Sequence, residues 1–155
     1  MIGKLDIIIG SEVHTLDPDE ELKLSEETIN EDLKSQPARY AFYAVMQEAA
    51  EGEVADAKLN LDATEAALDD AFRTEAAKTS TKITEANISN KIKLDEEYTA
   101  AVIALNKAKK QAGTLRAIKE AFNHRKDCLI SLGSMMRAQC DPEIFINMEE
   151  RRKKS

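Results

Sequence analysis

Between Ala38 and Ala77 the apolar positions recur at steps of three and four. Tyr43, Met46, Ala50, Val54, Ala57, Leu61, Thr64, Leu68 and Ala71 fall on one stripe, which is the seam of a long amphipathic helix. A second stripe runs through Tyr98, Val102, Leu105, Ala108, Ala112, Leu115, Ile118, Phe122, Arg125, Leu129, Leu132 and Met136. Asp95, Glu96 and Glu97 stand just ahead of it, where acids stabilise a helix N-terminus. The pattern predicts helices over about 38–77 and 95–139. Small seam residues such as Ala50 and Ala57 predict close, coiled-coil-like packing. The stretch "KTSTKITEANISNKIK" (78–93) interrupts the period. Its Ser, Thr and Asn side chains compete for backbone hydrogen bonds. It reads as an irregular connector, 78–94, with a helical turn or two opening at Thr84-Glu85 and carrying Ile88 and Ile92.

Ahead of the long helices the pattern changes. Leu5 to Ile9 is a short β-like run, and Asp17 followed by Pro18 is a helix N-cap with proline at the first helical position. Leu22, Leu24, Ile29 and Leu33 suit one stripe of a short helix. Gln36-Pro37 predicts a break, because the residue before proline disfavours helical backbone. After Cys140, "DPE" repeats the cap signature, and Ile144, Phe145 and Met148 mark a short amphipathic helix ending in "RRKKS". The organisation expected is therefore an acidic N-terminal segment (1–37), a helical hairpin (38–140) and a short C-terminal helix with a basic tail (141–155). The fold class is all-α: a long antiparallel helical hairpin with short terminal helices. A two-helix hairpin buries little apolar surface, so its open seam is expected to be covered by further copies of the chain.

Composition narrows this picture. The chain has 155 residues, 43% hydrophobic but only 5% aromatic, with no Trp, which suits Ala-lined helices better than a large globular core. Five Gly and three Pro are too few for a turn-rich β-sandwich. No apolar run is long enough to cross a membrane, and the first residues meet acids too soon for a signal peptide. Two cysteines do not make a disulfide framework, so a reducing, cytoplasmic setting is expected.

Charge is unevenly spread. The chain carries net −7, yet residues 101–155 alone carry net +6. Lys107, Lys109, Lys110, Arg116, Lys119, Arg125 and Lys126 lie within about five turns of the second helix. Two readings fit: a basic working surface for phosphates, or a solvated face pairing with the acidic half of the chain. Arg125 stands out because it sits on the apolar seam between Phe122 and Leu129. A half-buried guanidinium needs a carboxylate or a phosphate.

Candidate chemistry is sparse. His124 and Cys128 have one-turn spacing, with Cys140 the only other soft ligand nearby, short of a zinc set. There is no Gly-flanked serine elbow, Gly-rich phosphate loop or HExxH. Acid pairs such as Glu20/Glu21, Asp69/Asp70 and Glu149/Glu150 read as surface charge. No enzyme activity, cofactor or metal is expected. The aromatics Tyr40, Phe42, Tyr43, Phe72, Tyr98, Phe122 and Phe145 mostly fall on apolar stripes, so core is their expected place.

The order of these features resembles a known family. "INEDLKSQPARYAFYAVMQEAAEGEVADAKLNLD", the polar connector with "KITEANISNKIKLDEEY", and the helix ending "AFNHRKDCLISLGSMMR" together resemble the phage UvsY family of recombination mediators, over residues 26–139. The resemblance implies a small helical, non-catalytic protein that assembles into rings and binds single-stranded DNA without sequence preference. It implies partners: a RecA-like phage recombinase and single-strand-binding protein. On this resemblance the DNA-binding candidates are Lys58, Arg73, Lys78, Lys82, Lys91, Lys93, Lys107, Lys110, Arg125 and Lys126. The assembly candidates are Leu129, Leu132, Met136, Ile144, Phe145 and Met148. The family carries basic residues before a Leu-Asp pair; here Lys58 precedes Leu61-Asp62, with Asn60 between. The alternatives are a coiled-coil adaptor without nucleic-acid binding, and an acidic inhibitor that mimics DNA.

Overall fold

The computed structural model describes residues 3–80 and 82–140. Most of them are helical: two long helices pack against each other, beside a small N-terminal β-hairpin. The elements in order are β1 (Leu5–Ile9), β2 (Glu12–Leu16), α1 (Pro18–Glu21), α2 (Ile29–Lys78), α3 (Glu85–Leu94) and α4 (Glu96–Cys140). The expected helical hairpin is present, and the N-terminal hairpin is added to it. The expected helix after Asp141 lies outside the described residues.

The β-hairpin follows from alternation. Ile7 and Leu16 are buried and Leu5, Ile9 and His14 half-buried, while Asp6 and Ile8 face solvent. Gly10 has φ 61°, the left-handed geometry that a two-residue hairpin turn asks of its first central position. Thr15 Oγ1 donates to Asp6 Oδ1 at 2.7 Å across the strands. The expected cap at Asp17 is present: its side chain accepts from the Glu20 N–H, with Pro18 at the first helical position.

Helix α2 begins at Ile29 and runs through Pro37, so the expected break there is corrected. Proline removes one intrahelical donor and crowds the carbonyl four residues earlier, at a cost of about 3 kcal/mol. What offsets it is tertiary. Ile29 is buried, and two side chains just ahead of the proline, Asp32 and Gln36, are tied by hydrogen bonds to α4. Helix α3 is the expected connector turn, grown longer. Thr84 caps it by accepting from the Asn87 N–H, and Ile88 and Ile92 are its buried face.

The described residues form two compact units. The first comprises residues 3–7, 14–45 and 116–140. Its core is Ile7, Leu16, Ile29, Tyr43, Ile118, Phe122 and Leu129. Tyr43 and Phe122 stack with ring centroids 4.7 Å apart, and Phe42 meets Tyr43 edge-on at 5.2 Å. Such pairs add about 0.5–1.5 kcal/mol beyond their area. The second unit comprises residues 8–13 and 46–115. Met46, Ala50, Ala76, Ile88, Ile92, Ala101, Leu105, Ala108 and Ala112 are buried in it. Here the hairpin turn is fastened to both long helices. The Gly10 N–H donates to Glu53 Oε1, and Gln111 Nε2 donates to the Ile8 carbonyl at 2.9 Å.

Candidate nucleic-acid interface and the buried arginine

In the first unit, α4 places Arg125 on its buried face, one turn beyond Phe122, and the residue is 4% exposed. Its Nη2 donates to Asp32 Oδ1 at 2.7 Å and to the Lys23 carbonyl at 3.0 Å, and its Nη1 donates to Gln36 Oε1 at 2.8 Å. Gln36 passes the link on by donating from Nε2 to the Phe122 carbonyl at 2.6 Å. Asp32 and Gln36 are four apart on α2, so one helix face presents both acceptors. Burial pushes the Asp32 carboxyl up, but hydrogen bonds from Arg125 and Thr28 and the charges of Arg125 and Arg39 outweigh it. The carboxyl titrates below its ordinary 3.8. The sequence demanded a partner for Arg125, and the partner is a carboxylate. Arg125 is therefore not free for DNA phosphate, which corrects its place among the binding candidates. Among the described residues its Nε is buried without a partner.

The guanidinium also borders a cleft of about 390 Å³, whose lining sets Glu20, Glu27 and Asp32 beside Lys23 and Arg39. Arg39 pairs with Glu21 at 3.7 Å. Nearby, burial, reinforced by the charge of Glu21 and a hydrogen bond to it, pushes the Tyr43 hydroxyl up to about 12. Three acids and three bases, Arg125 among them, balance on its walls, so the cleft has no net charge to draw an anion.

In the second unit, Lys58 and Lys78 lie on α2, Lys82 on the connector, Lys91 and Lys93 on α3, and Lys107 and Lys110 on α4; all are exposed. Lys78, Lys91 and Lys93 occupy last turns of their helices, where positive charge is favourable in any case. Lys91 Nζ sits 5.4 Å from the Phe72 ring centre, a cation–π contact. Arg73 is different. Its Nε donates to Asp69 at 2.7 Å and its Nη2 to Glu85 at 2.7 Å, clasping α3 to α2. Hydrogen bonds from Arg73 hold the Glu85 and Asp69 carboxyls below their usual range, and those bonds push the guanidinium up. Arg73 is thus neutralised where the sequence offered it to DNA. By contrast, Lys58, Lys78, Lys82, Lys93, Lys107 and Lys110 have no carboxylate within ion-pair distance among the described residues.

The assembly candidates divide. Leu129 is 0% exposed, committed to the core of its own unit, so it cannot face another copy. Leu132 and Met136 are half-buried, with Ile130 and Met135 exposed beside them. Ile144, Phe145 and Met148 lie outside the described residues. His124 and Cys128 are both exposed, and no grouping suited to a metal occurs among the described residues. Two aromatics depart from the expected core: Tyr40 is 38% and Phe42 48% exposed. Spacing alone could not show this, since Tyr40 is three residues ahead of the buried Tyr43 and shares its stripe. No helix of the described residues is long and apolar enough to cross a membrane. No protein-family model, curated protein or solved structure matches the chain.

Proposed function

We propose that this chain is a non-catalytic, self-assembling protein that binds single-stranded DNA through phosphates, in the manner of the phage recombination mediators it resembles. The observation that carries the reading is the set of exposed lysines without carboxylate partners, Lys58, Lys78, Lys82, Lys93, Lys107 and Lys110. A lysine already neutralised gains little from a phosphate, whereas these release counterions when they meet one. The mediator role, loading a RecA-like recombinase onto strands covered by single-strand-binding protein in the host cytoplasm, rests on the resemblance.

The test is fluorescence anisotropy of a labelled single strand titrated against salt. The logarithm of affinity falls by about 0.7 per phosphate contacted for each decade of salt, so about −4 if each of the six lysines meets one. Lys58→Glu with Lys82→Glu lowers that slope across all sequences alike and leaves the assembly mass unchanged. A flat salt response at low ionic strength, or no binding, overturns the reading.

A second reading, a coiled-coil adaptor, is favoured by one observation: Leu59, Ile103 and Leu94 are large apolar side chains at least 63% exposed in the second unit. It shares the assembly but not the DNA, so the same titration separates the two.

A further inference from the structure

Resting on the single-strand-binding reading, we propose that a groove in the first unit is a slot for one unstacked nucleobase, with Lys126 holding the adjoining phosphate. The groove encloses about 400 Å³ and is walled by Leu33, Pro37 and Tyr40 of α2 and by Asn123, Lys126 and Ile130 of α4. Each trio falls on one helix face, at steps of three or four. Phe122, fully buried, contributes to the lining from beneath. The size lies within the range of small-ligand pockets, about 300–1,000 Å³.

Three features together select the occupant. The Tyr40 ring is part-exposed at the wall, and neither aromatic pair among the described residues includes it; every base has a face that stacks on such a ring. Asn123 brings a carboxamide, which offers a donor and an acceptor at once, as a base edge does. Gln36 also borders the groove, but its amide is already held by Arg125 and the Phe122 carbonyl. Lys126 supplies the cation. Among the described residues its only ion pair is with its neighbour Asp127 at 3.4 Å, and both are more than half exposed. Exposed pairs of this kind hold weakly, so a phosphate can take the ammonium. An apolar peptide would use the walls and strand the amide and the ammonium. A flat ring with a polar edge and an anionic neighbour uses all three.

The experiment compares two labelled probes on the full-length protein at low salt: an oligothymidylate and an abasic strand of the same length. The expected result is that the wild type binds the thymidylate at least about fivefold tighter, the gain from stacking one base. Tyr40→Ala then brings the thymidylate down to the level of the abasic strand, and Tyr40→Phe keeps the difference. Should Tyr40→Ala fail to fold, Ile130→Glu on the opposite, half-exposed wall serves in its place. Equal binding of both probes by the wild type overturns the slot while leaving phosphate binding standing. A preference that survives Tyr40→Ala also overturns it. So does a Tyr40→Ala change that alters only the mass of the assembly, which would make the groove a contact between copies. Binding of neither probe overturns the function and the slot together.

Discussion

Replacing Asp32 by Asn removes the charge facing Arg125 while keeping the side chain's shape. The pair is 2.7 Å apart, with the arginine side chain 3% and the aspartate side chain 13% exposed. Leaving such a buried charge without its counter-charge costs about 3–5 kcal/mol. Two neutral acceptors stay in place, Gln36 Oε1 at 2.8 Å and the Lys23 carbonyl at 3.0 Å, and Asn can still accept. The expected loss is therefore about 2–3 kcal/mol. For a chain of this length that lowers the melting temperature by about 4–12 °C, read by circular dichroism at neutral pH. The double variant with Arg125→Met should lose less than the sum of the two single losses, because the stranded charge is gone. The pH dependence has a definite sign. The folded carboxyl titrates below the ordinary 3.8, so its stabilisation is present above the unfolded value and lost as pH falls through the folded one. The gap between wild type and Asp32→Asn should be full at neutral pH and close below about pH 4. An Asn variant melting with the wild type at neutral pH, or a gap indifferent to acid, would refute the argument that this pair holds the first turns of α2 to α4.

Phe122→Ala empties a fully buried site stacked on Tyr43, and a loss of about 3–5 kcal/mol is expected in urea denaturation. Pro37→Ala restores a helix donor in the third turn of α2; allowing for the freer unfolded chain, a gain of about 1–2 kcal/mol is expected in the same assay. Tyr43 should ionise only at about pH 12, in an ultraviolet titration. Because its folded value lies above the unfolded one, its contribution is complete below about pH 10 and disappears as pH rises through the folded value. Tyr43→Phe should lack that alkaline loss.

The seam of α4 could be read directly from spacing. From Leu105 to Leu129 the positions chosen by period are those that are buried, because a helix packed along its length must turn one stripe inward. The start of α2 could not be read that way. Pro37 is a correct local stop signal, and only contacts some 90 residues away in sequence overrule it. Arg125 declared its need for a partner, but Asp32 and Gln36 look like any other polar pair until α4 is laid against them. The second strand was not legible by alternation: in "EVHTL" the apolar Val13 and Leu16 are three apart, on opposite faces of a strand, and Val13 is exposed. The lysines were visible as charges. Which of them are neutralised, as Arg73 is by Asp69 and Glu85, depends on where α3 sits. The exposure of Tyr40 depends in the same way on the packing of α2 and α4 in the first unit.

The fastening of the N-terminal hairpin has a consequence for how the chain is made. Gln111 reaches back to the Ile8 carbonyl across 103 residues, and Arg125 to Asp32 across 93. On a ribosome adding about 5–20 residues each second, the hairpin and the first turns of α2 wait on the order of 5–20 s before their partners on α4 exist. A lone helix of that length has no tertiary support, and its apolar seam stands open meanwhile. The hairpin and the first turns of α2 are therefore fixed late, by the arrival of α4.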